Sequence, residues 1–205
     1  MTTDIDLKRA VRAATTADLD LAELGDAVSR RAADAGLLDL AYAEIDSPLG
    51  PLLAVSTPAG LVHLGYPNRP RDAQLEQLAE RISPRIVEAP GRLDEVRREL
   101  DEYFEGRRHD FDVKVDLSLI KTPFSKRLLE ATARIPFGET RTYRDMAAAA
   151  GNAAAVRAAG NALGHNPIPI VVPCHRVLRT GGNIGGYTGG LDRKVKLLAT
   201  EGIEL

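Results

Sequence analysis

Apolar positions recur along this chain with three different spacings. Leu7, Ala10, Val11 and Ala14 fall at i, i+3, i+4 and i+7, and Leu21, Leu24 and Val28 then share a face until Gly36, so residues 1–40 read as helical. From Ala41 the pattern shortens. AYAEIDS, PLLAVSTP and GLVHLGYP are strand candidates, with a turn at Pro48-Leu49-Gly50-Pro51, and together they predict a small antiparallel meander with His63 on a strand face. Helical spacing returns over Asp72–Arg81 and Leu93–Phe104. The run RRELDEYFEG within the second alternates charge as a solvated face does. Between His109 and Lys121, Asp110, Asp112 and Asp116 alternate with Phe111, Val113 and Val115. That fits a strand or extended linker better than a calcium loop, which would need a glycine bend and a closing glutamate.

The remainder is predicted to be mostly helical. Thr122-Pro123 suits an N-cap followed by proline at the first helical position, and this helix should stop before Pro136. Thr142–Ala150, a turn at Gly151-Asn152 and Ala153–Leu163 make the outline of a helix-turn-helix. The second of these helices is almost all alanine and glycine, which permits close approach to a groove, with Arg157 as its one long cation. On its own, Arg157 is an ordinary surface arginine. Next comes NPIPIVVPCHR, residues 166–176, where three prolines punctuate an apolar run that ends in Cys174. Proline fixes φ and removes a donor, so the run reads as a rigid extended segment that presents a thiol. A lone cysteine is also read as a small buried hydrophobe. The glycines of residues 181–190 allow close backbone approach, but no strand–helix phosphate-loop pattern surrounds them.

Composition narrows the classes. A chain of 205 residues suits one domain or two small ones. One cysteine excludes an internal disulfide. With His63, His109, His165 and His175 scattered, it also argues against a metal cluster. A free thiol suits a reducing cytoplasm. No apolar run approaches the ~20 residues of a membrane span, and the N-terminus lacks a signal-peptide core. The net charge of −2 hides an asymmetry: residues 1–120 carry 15 Lys+Arg against 23 Asp+Glu, and residues 121–205 carry 12 against 6. An acidic half joined to a basic half suggests that the second half meets a polyanion.

PCHR followed by Val177, with TPFSKRLLEATARIPFGETRTYRDMA and GNAAAVRAAGNALGHNP before it and GGNIGGYTGGLDRKVKLLATEG after it, resembles the O6-alkylguanine-DNA alkyltransferases, the methylated-DNA–protein-cysteine S-methyltransferases. The likeness runs from Thr122 to about Glu201 and, more weakly, from Ala41 to Phe111. It implies an α+β protein with three parts: a helical extension over 1–40, a ribonuclease-H-like domain over 41–116, and a mostly helical DNA-binding and active-site domain over 117–205. It further implies irreversible, cofactor-free transfer of an alkyl group to Cys174 from O6-alkylguanine, or from O4-alkylthymine, in double-stranded DNA. The partner would be met through the minor groove by a monomer with no membrane contact.

By the same resemblance, His175 reaches the thiol through a water and Glu201 holds the histidine. Tyr143 protonates the leaving base. Asn166 hinges the segment, and Lys194 lies near the reacting atoms, although a solvent-facing helix lysine is the equally simple reading. Pro169 lines the alkyl side, Tyr187 walls the pocket, the Thr188 amide faces O6 and the Val177 carbonyl accepts from the guanine. Arg157 fills the space of an extruded nucleotide, with Ala155, Ala158 and Gly160 along the groove. Leu129 stands where the family often has tryptophan, and Gly164 and His165 where it is often basic. The chemistry needs extrusion because O6 lies inside the duplex. It also needs a thiol of lowered pKa. Three other readings compete. A damage sensor without transfer would lack the cysteine, a cysteine hydrolase would turn over acyl substrates, and a sequence-specific regulator would present more polar side chains to base edges.

Overall fold

The computed structural model describes Arg31 and residues 38–204; the helical expectation for residues 1–40 lies almost wholly outside them. Strands β1 (Leu40–Ile45), β2 (Leu52–Thr57) and β3 (Gly60–Gly65) form the expected antiparallel meander. The sheet is nevertheless mixed. After helix α1 (Arg71–Arg81), a three-residue strand β4 (Ile86–Glu88) returns to pair parallel with β1, giving the order β3-β2-β1-β4. Three residues are too few to show alternation, so this strand leaves no pattern in the sequence.

Both faces of the sheet are covered, which is why most of β1 and β2 is buried. Leu53, Val55 and Val62 pack with Leu78 of α1 on one face. Ala43, Ile45, Leu52, Ala54 and Leu64 pack on the other with α2 (Asp94–Phe104), entered through a 3-10 turn at Pro90–Leu93. The helix therefore starts one residue later than the periodicity suggests. It is also not simply a solvated face, since Glu99, Leu100 and Tyr103 are buried. Glu99 accepts from the backbone N–H groups of Asp112 and Val113, strapping the linker to α2. The linker then adds an isolated parallel bridge between Val115 and Leu61. Asp112 pairs with Arg108, and Asp116 accepts from Thr57.

Helix α3 (Pro123–Thr132) begins as expected, with the Thr122 hydroxyl accepting from Ser125 N–H, and buries Leu129 fully. Strand β5 (Arg141–Thr142) leads into α4 (Tyr143–Ala149), whose start is a full capping box between Thr142 and Asp145. Helix α5 (Val156–Gly164) starts three residues later than expected. Alanine favours helix, but the Asn152 side chain accepts from Ala154 N–H and its carbonyl from Ala155 N–H, which holds 153–155 in a turn. A 3-10 turn (Cys174–Arg176), strand β6 (Val177–Leu178) parallel to β5, and α6 (Leu191–Thr200) complete the fold. One continuous apolar core joins the sheet, α2, α3, α5 and α6. No helix among the described residues is long and apolar enough to cross a membrane.

Candidate active site

The segment 166–176 is not extended. Asn166 accepts from Ile168 N–H at 3.1 Å and donates to the Val172 carbonyl at 2.7 Å, closing the run on itself. Val172 N–H bonds back to Ile168, and Ile170 takes a left-handed φ of 74°. Proline's fixed φ fits turns as well as extended chain, and one asparagine decides between them. The turn packs against the sheet edge, where Leu64 N–H donates to the Pro167 carbonyl at 2.8 Å. Asn166 thus holds the loop's shape.

Cys174 is 6% exposed, at a cavity of about 260 Å³ lined also by Tyr143, Gly160, Leu163, Gly164, Gly186, Tyr187 and Thr188. The glycine-rich segment therefore does fold over the thiol. Two glycines there are obligatory. A Cβ on Gly185, at φ +67°, would sit 3.0 Å from the Tyr143 hydroxyl, and one on Gly189 would sit 2.5 Å from the Tyr66 ring. Pro169 is buried but lines the adjoining groove rather than this cavity. Gly160 turns toward the cavity, while Arg157 and Ala158 are exposed on the outer side of α5 and Ala155 precedes the helix half-buried.

Behind the thiol lies a buried charge network. Glu201, at the C-cap of α6, accepts from His175 Nε2 at 2.7 Å, from Arg176 Nε and Nη2 at 2.8 and 2.9 Å, from the Tyr103 hydroxyl at 2.7 Å and from Gly138 N–H at 3.3 Å. Burial alone would raise its pKa, but the bonds from His175, Arg176 and Tyr103 win and hold it at about 2. An ionised carboxylate only accepts, so His175 must carry its proton on Nε2. Burial keeps the imidazole neutral. Its Nδ1 is buried and bonds to no protein group among the described residues. That atom is the free base of the site.

The thiol itself is not acidic as the fold holds it. Burial pushes its pKa up, offset in part by the Asn166 amide and the Lys194 charge. A depressed value is therefore not what the fold favours before substrate enters, because burial of the sulfur disfavours its charged form. Lys194 is not the solvent-facing lysine of the simpler reading: it is fully buried and donates to the Val177 carbonyl at 2.6 Å. Burial lowers its pKa to about 8. Tyr143 and Tyr187 both have raised pKa values, chiefly through burial, and remain protonated.

Three residues had no role in the sequence reading. Arg176 sits inside the motif that drew attention to Cys174, yet its bidentate bond needs the fold to be seen. Tyr103 lay in a helix read as solvated. Tyr66, at the end of β3, bonds hydroxyl to hydroxyl with Tyr187 at 2.6 Å, and Arg193 lies 5.3 Å over its ring.

Comparison with known proteins agrees over both halves. Residues 123–203 match "6-O-methylguanine DNA methyltransferase, DNA binding domain", and residues 40–117 match "6-O-methylguanine DNA methyltransferase, ribonuclease-like domain". A methylated-DNA–protein-cysteine methyltransferase of Mycobacterium bovis is 41% identical over 160 residues, 78% of this chain and 91% of that one. One from Methanosarcina barkeri is 38% identical over 160 residues, covering 78% and 96%. The crystal structure of Mycobacterium tuberculosis OGT in complex with DNA superposes with a TM-score of 0.68 at 38% identity, over 78% of this chain and 92% of that one.

Proposed function

This chain belongs to the 6-O-methylguanine DNA methyltransferase family and repairs DNA by alkyl transfer, and we propose that Cys174 is the acceptor, alkylated once and not regenerated, with O6-alkylguanine as the main substrate and O4-alkylthymine as a second. One observation carries the reading: the single cysteine opens onto a cavity beside the helix-turn-helix, with a neutral histidine held by an ionised glutamate behind it. The sulfur attacks the alkyl carbon, the S–C bond forms and the C–O6 bond breaks. The thiol proton leaves through a water for His175 Nδ1, and the departing guanine takes a proton from the Tyr143 phenol. Return of the proton from His175 to the Tyr143 phenolate through water restores both groups, so the net transfer moves the alkyl group to sulfur and the thiol proton's equivalent to guanine, with no cofactor. Lys194 and Asn166 favour the developing thiolate. The Thr188 amide and the Val177 carbonyl hold the guanine edge, while Pro169 borders the path of longer alkyl groups.

Helix α5 enters the minor groove, and Arg157 occupies the stack left by the extruded nucleotide. The small Ala155, Ala158 and Gly160 allow that approach, and phosphates rather than base edges supply the affinity. The protein acts as a monomer in the cytoplasm, where its thiol stays reduced. The test is intact mass after incubation with a duplex carrying one O6-methylguanine. The expected result is a gain of one methylene on Cys174, absent in Cys174→Ser. Tight binding without a mass gain would replace this reading by a damage sensor.

A further inference from the structure

A second, larger groove of about 800 Å³ opens beside α5. Ala158, Asn161 and His165 form one wall, and residues of β3, α1 and the linker form the other. It adjoins the Cys174 cavity, since Gly164 and Thr188 line both. Its charged lining is Arg69, Arg81 and Lys121, and no carboxylate lines it.

That one-signed lining stands out because the surrounding half is acidic and pairs most of its arginines. Arg71, Arg85, Arg97, Arg98, Arg107 and Arg108 each pair with an Asp or Glu. Arg69 donates instead to the Gln77 side-chain carbonyl at 3.1 Å, and Arg81 to the Leu119 carbonyl at 2.7 Å, both neutral acceptors. Lys121 is exposed and has no hydrogen bond or ion pair among the described residues. The amino end of α3, with Thr122 and Ser125, opens onto the same groove. Three uncompensated cations beside a helix end and the DNA-facing helix match a polyanion strand.

We propose that this groove seats the phosphodiester backbone next to the extruded nucleotide, so that the N-terminal half is part of the DNA interface rather than a structural support alone. The proposal rests on the DNA-repair reading above. It is tested with Arg69→Ala/Lys121→Ala, whose side chains are both exposed, by measuring equilibrium binding to a short duplex with one O6-methylguanine over a range of salt. The slope of log K against log salt should shrink by about 0.9 for each phosphate that is no longer neutralised, about 2 for the pair. Arg97→Ala/Arg107→Ala, the same charge change outside the groove, should leave the slope as it was. An unchanged slope in the groove variant, or an equal change in both variants, overturns the proposal. A change seen only on duplexes long enough for several proteins would assign the groove to a second copy and also overturn it. Methyl transfer by the wild-type protein from the same duplex separates the two claims. Transfer with an unchanged slope sinks only the groove, whereas no transfer sinks the repair reading.

Discussion

The thiol cavity and the outer face of α5 solve opposite problems with opposite materials. Behind Cys174 the charged groups are buried and held: Glu201 alone takes bonds from three side chains and a backbone N–H, drawn from both halves of the molecule. On α5 the side chains are small and exposed, and Arg157 makes no hydrogen bond or ion pair among the described residues. Chemistry needs groups fixed before the substrate arrives, because reorganisation during reaction is costly. A surface that must fit many sequences gains from having little to reorganise. Damage in the cavity should therefore cost both catalysis and stability, whereas damage on α5 should cost function alone.

The largest expected effect is at Cys174. Cys174→Ser removes transfer altogether while duplex binding persists, read by intact mass and by gel shift. Glu201→Gln comes next. Losing the charge leaves Arg176 buried without a counterion, so unfolding free energy should fall by roughly 3–5 kcal/mol and transfer by at least about 100-fold. The acid limb checks the cause. The folded pKa near 2 lies below the ordinary 4.5. Glu201 therefore contributes its stability, on the order of 3 kcal/mol, above about pH 4.5 and loses it as pH falls toward 2. Thermal midpoints should drop across that window in the wild type and stay flatter in the variant. Parallel curves would show that the network is not what holds the cavity together.

Lys194 and Arg157 separate the regions more finely. Lys194→Met should slow transfer about tenfold at neutral pH. The lysine loses its charge near pH 8, so the wild-type advantage should be full below that pH and shrink above it. A constant ratio up to pH 9 would leave Lys194 with packing alone. Arg157→Ala should slow transfer from duplex DNA about tenfold with no change in thermal midpoint, since its side chain is exposed. A lowered midpoint would contradict the division between the regions.

How much was legible follows the same division. Cys174 was readable as the single thiol at the end of a proline-punctuated run, His175 and Glu201 took their roles from the resemblance to the alkyltransferases, and the smallness of α5 was readable because absence of side chains is itself a pattern. Strand β4 and the turn at 153–155 were not, because one is too short for a period and the other depends on a single Asn152 overriding alanine's helix preference. The closed form of 166–176 was hidden for a related reason: proline's φ serves two conformations, and Asn166 chooses. Tyr103 was missed because, although Val96, Leu100 and Tyr103 share a buried face at helical spacing, nothing in that spacing says which distant group the tyrosine hydroxyl meets.

Tyr103 gives the smallest test and the sharpest. It reaches Glu201 from the ribonuclease-like half, at 2.7 Å, while the other two side chains on that carboxylate come from the half that carries the cysteine. Tyr103→Phe keeps the ring among Phe104, Phe111 and Phe137 and deletes only the hydroxyl. One hydrogen bond to a charged acceptor contributes about 1.5–3 kcal/mol, reduced here because Arg176 and Gly138 still satisfy the carboxylate. The variant should lose about 1 kcal/mol of stability and slow transfer only a few-fold. The Glu201 pKa should also rise, moving the acid transition to higher pH. If stability falls but the acid transition stays in place, Tyr103 is a core aromatic and the cavity's electrostatics belong to the C-terminal half alone. If both move together, the sheet domain helps set the charge state of the group that orients His175.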